Sequence, residues 1–406
     1  MWVLYWCATT LLLLLGWPLL LVHPKLRWSF IGRLGFPRSV DDHDGARPIW
    51  FHASSAGDVR AVWPVVRALG DEAWLLSCTT DSGKATAAQL FGGREVVALP
   101  LDHPFCVWAF LRRVKPRLLV LEYAELWPEL LRQLHRRGVP VVVTNGTLSR
   151  RSVARYGALR RLFGALFSSL REVFVRDATQ RDRFVELGVP ADRVQVCGST
   201  KIDGVLEQAR AIEEPPFQCD LLVGSLHQDE FTRVGELLAT LHGRHPERRL
   251  VAVPRYLQQA DALVSQLERR GLSVERYSRR SSGAAVLVVD AIGVLFGGYA
   301  GTRVALVGGS LGARGGQNPL EPAVFGVPGL SGPNMENFAA EMAWLEPAGW
   351  MRRESTAELV EAIEALWADP EGARLQGEGL RAAVVAHAGV SGRIATRILQ
   401  LARIDV

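Results

Sequence analysis

Apolar residues along this chain fall into short continuous runs, separated by stretches where they recur every three or four positions. The runs begin after Pro48: Ile49–Ala53, Trp74–Cys78, Val96–Leu99, Leu118–Leu121, Val141–Thr144 and Val173–Val175. They are rich in leucine and β-branched residues and show little polar alternation, the pattern of strands covered on both faces of a parallel sheet. The intervening stretches read as amphipathic helices; Val59, Val62, Val66 and Leu69 share one helical face after Gly57. Periodicity weakens over Leu206–Cys219, where Glu213-Glu214-Pro215-Pro216 marks a linker. It then restarts, with strands expected at Leu221–Val223, Leu250–Val253, Val286–Val289 and Val304–Val307. Helices are expected near Asp229–His242, Leu257–Arg270, Met335–Leu345, Thr356–Trp367 and Glu371–Leu401. This order predicts an α/β chain of two doubly wound domains facing a cleft, residues 23–205 and 220–406, joined by residues 206–219.

The first segment is different. Met1 to Val22 contains no charged side chain. As a helix, about 22 residues rising 1.5 Å each would span about 33 Å, enough for a bilayer core. Trp2, Tyr5 and Trp6 at one end suit an interfacial belt. Lys25, Arg27, Arg33 and Arg38 follow, with no acid before Asp41, and that bias puts the remainder of the chain on the cytoplasmic side. Residues 1–22 therefore read as a membrane anchor, inserted or interfacial. A cleaved signal peptide, for which a basic leader and an A-x-A site are missing, and a core helix are the other readings.

Composition narrows the field. The chain has 406 residues, 48% hydrophobic and 22% charged, which excludes wholesale disorder. Its net charge is only +5, and no dense basic run carries interleaved aromatics, so a nucleic-acid partner is not expected. Five widely spaced cysteines (Cys7, Cys78, Cys106, Cys197 and Cys219) form no CxxC, which argues against a disulfide framework or zinc site. No spacing of His, Asp and Glu suggests another metal. No GxSxG elbow supports serine-nucleophile catalysis.

Three constellations carry candidate chemistry. In Phe51-His52-Ala53-Ser54-Ser55-Ala56-Gly57-Asp58-Val59-Arg60 a strand ends, small residues turn, and a helix starts at an acid. Asp58 would sit at the carboxyl edge of the sheet, as a general base or as an ordinary helix-capping acid. In Leu118–Glu129 an apolar strand runs into Glu122, Glu125 and Glu129 beside Trp127-Pro128. Glu122 would share that edge with Asp58; paired carboxylates could position a hydroxyl or raise a partner's pKa, or could simply answer a helix dipole. In Val307–Ala323, a strand leads to Gly308-Gly309-Ser310-Leu311-Gly312-Ala313-Arg314-Gly315-Gly316-Gln317 and then Asn318-Pro319-Leu320-Glu321. Such a loop could offer backbone N–H groups to a phosphate, with Glu321 near a ribose diol, or could be a structural turn. Ser225, in Val223-Gly224-Ser225-Leu226-His227, and Arg255, in Val253-Pro254-Arg255-Tyr256, end two further strands. Arg255 is a phosphate partner or a surface arginine.

At these residues the chain resembles the 3-deoxy-D-manno-octulosonic acid (Kdo) transferases of lipopolysaccharide assembly. The resemblance runs through HASSAGDVRA, EYAELWPEL, NGTLSRRS, CGSTKID, VGSLHQDE, VPRY, DAIG, GGSLGARGGQNPLEPA and GPNMENF, in order. It implies a GT-B fold of two Rossmann-like domains behind an N-terminal membrane-anchor helix, with the donor nucleotide mainly in the C-terminal domain. It implies transfer of Kdo, or a related ulosonic acid, from a CMP-sugar to a lipid A precursor at the cytoplasmic face of the inner membrane, without a tightly bound metal or other cofactor. Carried over residue by residue, it makes Asp58, Glu122 and Glu125 catalytic. Ser54, Ser55, Gly57 and Lys201 would contact substrate. Ser225, Arg255, Gly293, Gly309, Ser310, Arg314, Asn318 and Glu321 would hold the donor nucleotide. Departures from the family pattern are Asp58 in place of Glu, Tyr256 and Gln317 in place of His, Thr147 in place of Arg, and Ser199-Thr200 in place of Asn-Leu. Two other readings stay open: a GT-B nucleotide-sugar 2-epimerase, and a catalytically silent homologue that binds lipid or a partner protein.

Overall fold

The computed structural model describes residues 2–22 (backbone only for 17–22), 29–37, 46–92, 94, 96–158, 164, 166–279 and 283–404. The chain divides into two units, Met1–Gly204 with Gly389–Val406, and Val205–Ala388. Each is built on a seven-stranded sheet whose strands are all parallel.

The first sheet contains β1 (Ile49–His52), β2 (Trp74–Cys78), β3 (Val97–Ala98), β4 (Leu118–Glu122), β5 (Val141–Gly146), β6 (Glu172–Val175) and β7 (Val194–Val196), in the order β3-β2-β1-β4-β5-β6-β7. β1, β4 and β5 are buried at every position, which explains their unbroken apolar runs. The second sheet contains β8 (Cys219–Leu226), β9 (Leu250–Pro254), β10 (Val274–Arg276), β11 (Val286–Val288), β12 (Thr302–Val307), β13 (Gly329–Ser331) and β14 (Met351–Arg352), in the order β10-β11-β9-β8-β12-β13-β14. Both are doubly wound α/β architectures, as the alternation of runs predicts.

The ends of the chain depart from expectation. The segment 371–401, expected as helix within the C-terminal domain, is two helices, Pro370–Ala386 and Val390–Ile404, broken at Gly389 with φ 78°. The last helix belongs to the first unit. Val390, Ile394, Ile398 and Leu401 are buried against Ile49, Phe51, Val59 and Val120, and Asp203 accepts the N–H groups of Gly389 and Ser391 at 2.6 Å each. The expected linker 206–219 is partly helix, Lys201–Arg210, and ends inside β8.

The N-terminal helix runs from Trp2 to Val22. Among the described residues no helix is long and apolar enough to cross a membrane, so a spanning anchor is not supported. The first turns dock on the first unit instead. Tyr5 donates to Asp102 at 2.5 Å and the Trp6 indole N–H to Glu129 at 2.9 Å. The Arg132 guanidinium lies over the Trp2 and Trp6 rings at 5.3 and 5.1 Å. Of the flanking cations expected to set topology, Lys25, Arg27 and Arg38 lie outside the described residues. Arg33 is buried, and its guanidinium donates to the Thr79 carbonyl.

Candidate functional site

Each sheet reverses its winding next to its central strand, between β1 and β4 in the first and between β8 and β12 in the second. At such switch points neighbouring loops leave in opposite directions and open a crevice at the carboxyl edge.

The first switch point gathers acids. His52 ends β1 and is buried; its Nδ1 lies 2.9 Å from the Ser77 hydroxyl. Its Nε2 lies 3.3 Å from the Ser54 hydroxyl and 3.4 Å from Glu125. Ser54 donates to the same Glu125 carboxylate. Burial alone would raise the Glu125 pKa, but the hydrogen bonds from His52 and Ser54 outweigh it and hold the carboxyl below its ordinary value. Asp58 is the third residue of the helix Ala56–Arg67 and accepts the Ser55 backbone N–H at 2.8 Å, so it does cap that helix. It is also half-buried. Burial raises its pKa and the Glu125 charge adds to the rise, while the hydrogen bonds from Ser55 and the electrostatic influence of His52 oppose it. Asp58 is thus a stronger base than a free aspartate. Ser54 and Ser55 are half-buried in this turn, and Gly57 is exposed on the helix's first turn.

Glu122 takes a different place from the one expected of a catalytic acid. It is 2% exposed, with one oxygen accepting from the Thr144 hydroxyl and the other from the Asn145 amide, each at 2.6 Å. Burial pushes its pKa up to about 8 and the Asp58 charge adds to the rise, while these hydrogen bonds oppose it. Asn145 also donates to Thr200 at 2.6 Å, and the Thr200 hydroxyl donates to the Ala61 carbonyl at 2.7 Å, inside the helix that carries Asp58. Tyr123 and Asn145 adopt φ of 60° and 49°, a left-handed conformation that costs non-glycine residues on the order of 1–3 kcal/mol. The Glu122–Asn145–Thr200 chain holds the second of them in place. Lys201 sits at the same edge, exposed, with its ammonium 5.7 Å from the Tyr123 ring centroid. Both Glu122 oxygens are therefore engaged within the protein, where they organise this edge from inside.

The second switch point is built from the Gly-rich loop and the end of β8. Ser225 has φ 57°. Gly308 approaches so closely that a Cβ there would lie 2.8 Å from the Gly224 and Ser225 carbonyls, and Gly309 needs φ 68°. These glycines serve close packing and a left-handed turn. In this loop, which was expected to offer backbone N–H groups to a phosphate, those of Gly309 and Leu311 donate to the buried carboxylate of Glu230 at 2.7 and 2.9 Å. Ser310 is fully buried and bonds Val307 and Gly332. These groups are occupied within the protein, so the loop does not offer them to a phosphate.

Side chains remain for a ligand. His227 Nε2 lies 3.1 Å from Gln317 Nε2, and the Tyr256 ring meets the His227 ring edge-on at 5.8 Å. Arg255 is exposed, with its guanidinium 5.8 Å from the Tyr256 ring centroid. Arg314 is also exposed and pairs with Asp229 at 3.5 Å. Asn318 donates to Glu321 at 3.3 Å and accepts the Leu320 N–H at 3.2 Å. The helix Leu320–Val324 has only five residues, so little field is expected from it. Gly293, with φ 84°, is exposed at the start of Val294–Tyr299. Among the described residues, no three His, Cys, Asp or Glu side chains are grouped to hold a metal. Sequence reading missed His52, Thr144, Asn145, Thr200, His227 and Glu230. The spacing His227-x-x-Glu230, with the acid four residues after the end of β8, is the signal that could have found the last pair.

A sequence profile of the family described as 3-deoxy-D-manno-octulosonic-acid transferase (kdotransferase) matches residues 29–204. The 3-deoxy-D-manno-octulosonic acid transferase of Haemophilus influenzae is 30% identical over 363 residues, covering 84% of this chain and 84% of that protein. That of Bordetella pertussis is 31% identical over 373 residues, 86% of each. Among solved structures, the UDP-GlcNAc 2-epimerase from Neisseria meningitidis bound to UDP-GlcNAc superposes with a TM-score of 0.59 at 14% identity, over 87% of this chain and 99% of that one, a likeness of fold alone.

Proposed function

The chain belongs to the 3-deoxy-D-manno-octulosonic acid transferase family, and from that premise we propose that this glycosyltransferase moves Kdo, or a related ulosonic acid, from a CMP-sugar to a lipid A precursor. The observation that carries the reading is Asp58: a half-buried carboxylate at a switch point, raised in basicity, with its loop set by His52, Ser54 and Glu125. Asp58 takes the proton from an acceptor hydroxyl. The hydroxyl oxygen attacks the anomeric carbon, and the bond from that carbon to the phosphate oxygen breaks with its electron pair leaving on CMP. Ser54, Ser55, Gly57 and Lys201 line the acceptor side. On the donor side, Arg255 answers the charge growing on the leaving phosphate, with His227, Tyr256 and Gln317 beside it. Asn318 and Glu321 take the ribose, and Ser225, Gly293 and Arg314 border the donor's path. No metal is required by this scheme. The test is the purified full chain with CMP-Kdo and detergent-solubilised lipid A precursor, read by mass spectrometry. The acceptor should gain one or more Kdo masses and CMP should appear in equal number; CMP-Kdo left intact beside unmodified acceptor would sink the assignment.

The protein works at the cytoplasmic face of the inner membrane, where such an acceptor resides. Its N-terminal helix would lie on the bilayer rather than through it. In support, Val3, Leu4, Leu11, Leu12, Leu14 and Leu15 are exposed while Tyr5 and Trp6 bond the domain. Co-flotation with anionic liposomes, lost on deleting residues 2–22, checks this; flotation unchanged by the deletion would refute it.

A further inference from the structure

Glu230 plays no part in the scheme above, yet it is among the most demanding groups in the second unit. It precedes the helix Phe231–Arg244 and is 1% exposed. One oxygen accepts the N–H of His227 at 2.9 Å and of Gly309 at 2.7 Å; the other accepts that of Leu311 at 2.9 Å. Burying a carboxylate is unfavourable unless hydrogen bonds compensate, so a neutral side chain would serve packing alone better. Its three donors come from the two loops that flank the switch point between β8 and β12. The Gly-rich loop they hold ends at Gln317, whose amide meets the His227 ring.

We propose that Glu230 is a built-in anion: it fills the amide crown of the Gly-rich loop and, as a positioning residue, presets the loop shape that admits the donor nucleotide. This rests on the donor reading above. The loop then recognises the donor through the side chains it presents, while its Gly309 and Leu311 amides stay committed to the protein.

The test uses the full chain. In Glu230→Gln, the amide carbonyl can keep the His227 and Gly309 bonds, leaving its NH2 against the Leu311 N–H. Hydrogen exchange at Leu311 should quicken about tenfold or more, and CMP, followed by calorimetry, should bind about tenfold more weakly. The KM for the acceptor should stay within about twofold, and kcat at saturating donor should change little. In Glu230→Ala, added formate should slow loop exchange and restore CMP binding in part, because a free carboxylate can enter the vacated crown. Glu230→Asp keeps the charge and serves if Glu230→Gln fails to fold; its CMP affinity should fall between wild type and Glu230→Ala. Faster loop exchange with unchanged CMP affinity, equal shifts in both KM values, or no formate effect on Glu230→Ala would overturn the proposal. Absence of CMP binding by the wild type would instead refute the donor reading, with the exchange pattern still judging the clamp.

Discussion

Asp58 and Glu230 occupy equivalent places. Each follows the strand beside its sheet's switch point, and each accepts a backbone N–H from the residue three positions earlier, Ser55 and His227. Their fates diverge through the loop that arrives from the neighbouring strand. After β12 the chain brings Gly309 and Leu311 with N–H groups pointing at Glu230, and that acid becomes buried. After β4 it brings Glu125, whose charge adds to the rise that burial gives the Asp58 pKa, and which takes its own hydrogen bonds from Ser54 and His52. Asp58 is left half-exposed. The same capping motif thus leaves one acid half-exposed and buries the other, and the partner loop decides which.

The sharpest way to break this contrast is Asp58→Asn. Asparagine still accepts the Ser55 N–H, so the helix keeps its cap. Turnover should fall by a factor on the order of 10²–10⁴ while CMP affinity barely moves; undiminished turnover in a folded variant would reduce Asp58 to a cap, like its counterpart. Next in size is Glu321→Ala, on the other side of the contrast. It should weaken CMP binding by about 1–3 kcal/mol, seen by calorimetry, and leave acceptor KM alone; a loss of kcat with intact CMP affinity would place Glu321 outside the donor site. A third effect, on stability rather than on binding or turnover, concerns Glu122. With its pKa raised to about 8, the folded protein holds a proton that the unfolded chain has released between the ordinary glutamate range and about pH 8. Its contribution therefore favours folding at low pH and is lost as pH rises through that window, by up to about 1.4 kcal/mol per pH unit. Glu122→Gln should flatten that slope in urea titrations at several pH values; an unaltered slope would show that Glu122 is not the titrating group.

The central strands of both sheets were legible because double-sided burial writes unbroken apolar runs: Trp74–Cys78 was expected and found within the same bounds. The strands that escaped are short and peripheral. β7, β10, β13 and β14 have two or three residues each, with β10 half-buried throughout, and so carry no run to read. The acidic loops were legible as places, since they follow strand ends. Which amide or acid would be consumed there was not, because Glu230 meets Gly309 across 79 positions and Trp6 meets Glu129 across 123. The apolar character of the N-terminal helix was plain; the polar handles of Tyr5 and Trp6, which tie it to the domain, read equally well as an interfacial belt.

The placement of the helix Val390–Ile404 bears on how the protein comes into being. The second unit, Val205–Ala388, is one uninterrupted stretch, whereas the first is assembled from both sides of it. During synthesis the later-made unit can reach its native state while the earlier one still waits, with the face formed by Ile49, Phe51 and Val120 uncovered until Ile394 and Ile398 emerge. That would invert the usual order of maturation along a nascent chain. A ribosome that stalls or a message that is cut short near residue 388 would release a chain with a complete second unit and a first unit still exposed to chaperones and proteases.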